Sequence, residues 1–362
     1  MIVERLELRD VRNFCEVVFE LAPGVTAILG DNGQGKTNLA EALGYLATLE
    51  SFRGATTDAL VRVGAEQAVI RAQLKVDDRE VLIEAELNRT GRQRVLVNRQ
   101  RLTRIRDLLG VVRVSVFAPD DLAMIKEGPA VRRRFLDDTL VALAVKHDAT
   151  RLELDRVVRQ RNTLLKQVGG QGRTSLDESS ALTLEVWDAK LSEVGERLGH
   201  ARAVLVAHLA PLVAQAYEDL AGQPVPVELR YEPAWRASGL AAALRAARQD
   251  DLRRQVTSVG PHRDDLDLVL AGMPARTHAS QGEQRTLALS LRLAAHRLIT
   301  DRTGTAPLLI LDDVLSELDP GRATALLEQL PPGQVMITSA SPLPPDAHPD
   351  HVIRLCQGAV VP

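Results

Sequence analysis

Gly30-Asp31-Asn32-Gly33-Gln34-Gly35-Lys36-Thr37 is the stretch on which the fold turns. It fits G-x-x-x-x-G-K-[ST], a Walker A phosphate loop, and each residue type has a mechanical reason. Gly30, Gly33 and Gly35 let the backbone turn tightly, with its N–H groups aimed at phosphate oxygens. A helix opening near Lys36 adds the positive end of its dipole. Lys36 can reach the β and γ phosphates of a nucleotide, and the Thr37 hydroxyl suits Mg²⁺. The flanks agree: Val25 to Leu29 is a short apolar run, and a helical pattern follows from Thr37 to about Leu49.

Toward the C-terminus, Leu308-Leu309-Ile310-Leu311-Asp312-Asp313 is an apolar strand ending in two carboxylates. A Walker B strand needs this: Asp312 beside Mg²⁺, and Asp313 to orient or activate water. Taken alone, such a pair could equally cap a helix; coupled to the phosphate loop it reads as catalytic, with Lys36. Ser280-Gln281-Gly282-Glu283-Gln284 stands before a helix expected from Gln281 to Ile299. It resembles the ABC signature, in which a serine hydroxyl, a glycine N–H and a helix dipole close on the nucleotide of another subunit. Ser316-Glu317-Leu318-Asp319 follows where a D-loop belongs, with Ser316 and Asp319 as its candidate site residues. Walker A, insertion, signature, Walker B, D-loop is the order of an ABC-type ATPase, whose two heads sandwich two ATP molecules. No NKxD-type base-reading motif follows, which excludes a simple GTPase.

The 362 residues suggest roughly two domains. Ile2 to Leu8 and Val17 to Leu21 alternate as strands. Gln67 to Val76 and Glu80 to Leu87 extend the pattern, with a turn at Asn88 to Gly91 and a return strand from Val95 to Asn98. From Pro119 to about Gln255 helical periodicity takes over. Leu184, Trp187, Leu191, Val194, Leu198, Ala201 and Leu205 form a heptad-like stripe, which predicts one long helix with Trp187 in its core. A helix from Arg151 to Val168 and a flexible loop from Gly169 to Ser180 complete a helical hairpin. The last hundred residues return to alternation, with strands at Leu266–Leu270, Leu308–Leu311 and Gln334–Thr338 and a helix from Gly321 to Leu330. A parallel sheet covered on its faces is expected. The fold class is therefore α/β: a head with a parallel or mixed sheet and an antiparallel part, from residues 1–118 and 257–362, and a helical lobe inserted as 119–256.

Net charge is −3 and aromatics are 3% of the chain. These values exclude a bulk polycation and a reader that stacks single-stranded bases on aromatic rings. Cys15 and Cys356 are far apart and unpaired by any CxxC spacing, so a reducing cytoplasm is expected. The charged N-terminus MIVERLELRD is no signal peptide, no long apolar run exists, and no membrane association is expected. Only six of the 45 basic residues are lysine. A GC-rich genome is one source of such a bias. The span Arg89 to Arg106 holds seven arginines and no acid, and within it Arg92, Arg94, Arg99, Arg101 and Arg104 are candidate contacts to DNA phosphate. The alternative for that hairpin is an ordinary solvated face. Arg132-Arg133-Arg134 reads as partly structural, and His262 and Arg263 as domain contacts.

The sequence resembles the RecF family, bacterial ABC-type ATPases of recombinational gap repair, from end to end. The resemblance is carried by Val11-Arg12-Asn13-Phe14, the phosphate loop with Asn38 and Glu41 after it, Ser51-Phe52-Arg53 and Phe117-Ala118-Pro119-Asp120-Asp121-Leu122. It continues in Arg132-Arg133-Arg134-Phe135-Leu136-Asp137, Gly260-Pro261-His262-Arg263-Asp264-Asp265 and Ser280-Gln281-Gly282-Glu283. It implies that Arg12 and Asn38 join the loop in binding nucleotide. It also implies ATP-dependent dimers on DNA, at gapped duplexes and single-strand/double-strand junctions. Slow DNA-stimulated hydrolysis would reset them, and partnership with RecR and RecO would help place RecA on strands coated by SSB. Two departures from general ABC patterns stand out. The Phe117–Leu122 segment has no Q-loop glutamine, and Thr338-Ser339 stands where transporters carry a switch histidine. A transporter nucleotide-binding subunit and an ATP-binding scaffold with negligible turnover are the alternatives.

Overall fold

The computed structural model describes residues 1–76, 79–169, 177–344 and 347–361. Strands β1 (Ile2–Val11) and β2 (Phe14–Glu20) pair antiparallel, and β3 (Val25–Leu29) leads into helix α1 (Lys36–Thr48). The chain returns through β4 (Gln67–Val76), β5 (Arg79–Asn88), β6 (Arg94–Val97) and β7 (Gln100–Arg101) to complete an antiparallel sheet in the order β2-β1-β4-β5-β6-β7. One face of it is a strict alternation: Ala68, Ile70, Ala72 and Leu74 of β4 are buried, as are Ile83, Ala85 and Leu87 of β5. The period of two places them all against the core.

After β8 (Val114–Phe117) come helices α2 (Pro129–Leu143), α3 (Lys146–Gly169) and α4 (Glu178–Ala221), then β9 (Val227–Arg230), α5 (Leu240–Arg254), β10 (Asp267–Leu270) and β11 (Met273–Pro274). Helix α6 (Gln281–Thr303), β12 (Leu308–Asp312), α7 (Pro320–Glu328), β13 (Val335–Ser339), β14 (His351–Cys356) and β15 (Ala359–Val361) close the chain. The second sheet runs β15-β14-β3-β13-β12-β8 and is parallel except at β15, so the expected mixed sheet is present. Leu308, Leu309, Ile310 and Leu311 are all buried, which is why β12 reads as a continuous apolar run rather than an alternation.

The chain divides into two compact units, 1–125 with 212–225 and 279–362, and 126–211 with 226–278. The sequence expectation placed the cuts at 119 and 256. Residues 257–278 fall in the helical unit because β10 pairs antiparallel with β9, Asp267 opposite Arg230. In α4 the division falls at Pro211.

Within the helical unit, α3 and α4 are antiparallel: Glu153 meets Arg197 and Arg161 meets Asp188. The expected hairpin has a third member, since Arg161 also binds Asp251 of α5 at 2.7 Å and Thr257 at 3.0 Å. Most of the expected linker lies outside the described residues; α3 runs to Gly169 and α4 already begins at Glu178. Leu184, Leu191, Val194, Leu198 and Leu205 are buried as the stripe requires. Trp187 is only half-buried, with the Lys190 ammonium 5.2 Å from its ring centre, so it is not the core residue expected. Two other arginines are satisfied by paired carboxylate oxygens: Arg202 by Asp137 and Arg132 by Asp265. Burial opposes the charge on Arg202, but Asp137 holds its pKa above the usual arginine value. Asp264 accepts from Tyr231 at 2.5 Å and Trp235 at 2.7 Å, and His262 meets the Thr257 carbonyl at 3.1 Å. These partners of the Gly260–Asp265 segment all lie in the helical unit. Among the described residues no helix is long and apolar enough to cross a membrane.

In α6, His296 is 2% exposed and neither ring nitrogen has a hydrogen-bond partner among the described residues. Burial alone pushes its pKa down from 6.5 to about 4. Between those values the unfolded chain takes up a proton that the folded imidazole refuses. Stability should then fall with acidity by about 1.4 kcal/mol per pH unit from this group. His296→Leu should show a shallower loss of urea stability from pH 6.5 to 4; an unchanged slope would contradict the neutral buried imidazole.

Candidate nucleotide site

The phosphate loop is built by exclusion of side chains. Gly30 follows β3 directly, beside β14, where a Cβ would lie 2.5 Å from the Leu355 carbonyl oxygen. Gly35 caps α1 with φ 111°, and a Cβ there would stand 2.7 Å from the Phe14 ring. Gly33 is also left-handed, and Asp31 and Asn32 are exposed at the tip. Lys36, 6% exposed, donates from its ammonium to the carbonyls of Gly30 at 2.7 Å and Asp31 at 3.0 Å. Gln34 is held from two sides: Asn13 Nδ2 donates to its carbonyl at 3.1 Å, and the Gln357 N–H donates to its Oε1. Asn38 donates to Asn13 Oδ1 at 2.7 Å, so Asn13 bridges the loop and its helix.

Asp312, at the C-terminal end of β12, is 2% exposed. Its Oδ1 accepts from Thr37 at 3.2 Å and from Thr338 at 2.7 Å. Desolvation raises the Asp312 pKa above the carboxylate norm; both hydroxyls oppose this, the Asp313 charge adds to it and Arg53 opposes it. A buried carboxylate beside a hydroxyl, with no ion pair to the carboxylate among the described residues, is a hard-oxygen pair that fits Mg²⁺. Among the described residues no cluster of three His, Cys, Asp or Glu offers another metal site. Asp313 has φ 53°, and its buried Oδ1 has no hydrogen-bond partner among the described residues.

The signature segment forms a helix N-terminus in which a capping box satisfies two backbone donors. Ser280 Oγ accepts from the Glu283 N–H, and the Glu283 carboxylate accepts from the Ser280 N–H at 2.7 Å. Gln281 is exposed, and hydrogen bonding from the Ser280 side chain and backbone holds the Glu283 pKa below the usual carboxylate value. Ser316 donates to the Asp313 carbonyl at 2.7 Å, and Asp319 caps α7 through the Arg322 N–H at 3.0 Å. Sequence reasoning missed two arginines that join these segments. Arg322 pairs with Asp319 and lies 2.6 Å from where a Gly282 Cβ would be. Arg285 binds the carbonyl and carboxylate of Glu317.

Arg12 has a fold partner that its sequence context did not announce. Its Nε and Nη2 bind both oxygens of Glu41 at 2.8 Å and its Nη1 donates to the Ala59 carbonyl at 2.9 Å. Glu41 is fully buried and also receives the Ser51 hydroxyl. Three of the five guanidinium N–H groups are thereby used. Of the arginine cluster, Arg94 pairs with Glu86, and Arg89 ties down the carbonyls of Arg62 and Ala65. Arg92, Arg99, Arg101 and Arg104 are exposed, with no carboxylate partner among the described residues. Asn98 and Arg99 both have positive φ, the backbone of a tight two-residue hairpin turn, so β6 ends at Val97 and Asn98 belongs to the turn.

The RecF/RecN/SMC N terminal domain family matches residues 2–342. A DNA replication and repair protein RecF from Streptomyces avermitilis is 46% identical over 94% of both chains, and one from Kineococcus radiotolerans is 41% identical over 100% of this chain and 99% of its own. The chain belongs to the RecF family. It is an ABC-type ATPase of that family. A solved structure of the recombination mediator protein RecF with ATPrS, in the RecFOR pathway, superposes with a TM-score of 0.89 at 30% identity and covers 99% of this chain and 97% of its own. An Smc head bound to the C-winged helix domain of ScpA, at 17% identity and TM-score 0.60, covers 99% of this chain and 96% of its own and shares the fold.

Gly35→Ala should meet both a left-handed backbone and the Phe14 ring, a strain of about 1–3 kcal/mol. Thermal unfolding and nucleotide titration should both shift; an unaltered melting temperature with full ATP affinity would contradict this packing.

Proposed function

We propose that two copies of this chain close around ATP on DNA, as an ATP-driven switch of DNA replication and repair. One observation carries the reading: Thr37 at the end of the phosphate loop and Asp312 at the end of the Walker B strand meet at 3.2 Å, although they come from opposite ends of the chain. Thr37 and Asp312 would hold Mg²⁺, which when bound neutralises phosphate charge. The first turn of α1 and Lys36 bind the phosphates, and the Asp313 carboxylate orients the attacking water or takes its proton. The Ser280 hydroxyl and the N-terminus of α6 meet the nucleotide of the second copy. Hydrolysis is slow, is stimulated by DNA, and ends the dimer.

The DNA is a gapped duplex or a single-strand/double-strand junction, held through phosphate by Arg92, Arg99, Arg101 and Arg104. RecO and RecR act alongside. What supports this is the RecFOR pathway named for the similar solved protein and the four exposed arginines without carboxylate partners. No observation favours the transporter alternative.

Lys36→Ala should abolish ATP-dependent retention of gapped DNA in a filter-binding assay; undiminished retention would sink the nucleotide-gated reading. Arg99→Glu with Arg101→Glu should weaken DNA binding and reduce its salt slope by about two, roughly one for each phosphate that is no longer neutralised. An unchanged slope would return the hairpin to an ordinary solvated face.

A further inference from the structure

Thr338 occupies a position that the reading above leaves without a task. It is fully buried near the end of β13, in register with Asp312 on the neighbouring parallel strand. Its hydroxyl has one proton and accepting lone pairs, and both kinds of bond are used. The proton goes to Asp312 Oδ1 at 2.7 Å, and the oxygen accepts from the Asp313 N–H at 3.0 Å. The same N–H is 3.2 Å from the Thr338 carbonyl oxygen.

That second bond falls where the backbone is least comfortable. Asp313 has φ 53°, a left-handed conformation that costs a residue with a Cβ on the order of 1 kcal/mol or more unless the surroundings fix it. β12 ends at Asp312, so the direction of the Asp313 side chain depends on this one turn. The buried Oδ1 of Asp313, without a hydrogen-bond partner among the described residues, is the group whose orientation is at stake.

We propose that Thr338 is a positioning residue for hydrolysis, its single hydroxyl setting both Walker B acids at once. By donating to Asp312 it fills one oxygen of the first acid, so that acid has a fixed orientation beside Thr37. By accepting from Asp313 it pins the left-handed turn that aims the second. Both hydrogen-bonding capacities of the side chain are thereby committed to the two acids. This inference rests on the hydrolysis reading and deepens it.

Two variants and three readouts test it. Thr338→Val keeps the shape and removes the hydroxyl; Thr338→Ser keeps the hydroxyl. Valine should lower kcat for ATP hydrolysis by about 10–100-fold, as losing an orienting partner typically does. It should leave the Kd for a fluorescent ATP analogue within about threefold and prolong the ATP-bound dimer in sedimentation, while serine restores kcat to within a few-fold. Three outcomes overturn the proposal: valine with normal turnover, serine as slow as valine, or valine losing nucleotide binding together with turnover. If the wild-type chain hydrolyses ATP no faster than Lys36→Ala, the hydrolysis reading itself falls and takes the proposal with it.

Discussion

Strand β3, which carries the phosphate loop, is enclosed by the last strands of the chain: β13 on one side and β14 on the other. Everything else in the site depends on that enclosure. It places Leu355 against Gly30, Gln357 against Gln34, and Asp312 with Thr338 beside Thr37. The loop formed by residues 30–37 is thus walled by residues from the other end of the chain. The helical insertion must therefore leave the sheet and return without disturbing β8 and β12, which pair in parallel from Val114 to Phe117.

The arginine excess has two physical destinations. In the helical unit Arg132, Arg161 and Arg202 lie buried against Asp265, Asp188 with Asp251, and Asp137. The planar fork of arginine meets both carboxylate oxygens where lysine would meet one, and its weaker hydration makes burial less costly. Such pairs are weak evidence for stability in themselves, but removing one partner leaves a buried charge and costs about 3–5 kcal/mol. They thus fix how α2, α3, α4 and α5 register on one another. On the antiparallel sheet, by contrast, arginines at β6 and β7 remain exposed. Net charge, −3 for the whole chain, could not separate these two populations.

Strands with a strong pattern could be read from the sequence because burial is what makes the pattern. The apolar run of β12 and the alternation of β4 and β5 were plain; β14 was not. His351–Cys356 buries only Ile353 and Leu355, too little signal in six residues, yet it supplies one wall of the loop. β9 was hidden for the same reason, and with it the pairing that places β10 in the helical unit. At the site, the phosphate loop, Asp312 and Ser280 were legible because their chemistry demands fixed residue types at fixed spacing. The pairing of Glu41 with Arg12, the place of Arg322 and the two hydrogen bonds of the Thr338 hydroxyl were not, since each acts through a neighbour distant in sequence. Arg12 is an example: the family resemblance implies a nucleotide contact, and the fold additionally uses three of its five N–H groups to hold Glu41 and the Ala59 carbonyl.

One copy of the chain contains a phosphate loop joined to its Walker B strand and, on α6, a signature helix whose N-terminus is capped by Ser280 and Glu283. In the proposed sandwich, that helix meets the nucleotide of a second chain. Sedimentation equilibrium of the purified chain with and without saturating ATP and Mg²⁺ tests this most directly. The account predicts monomers without nucleotide and dimers with it. A chain that binds ATP fully and stays monomeric would contradict it.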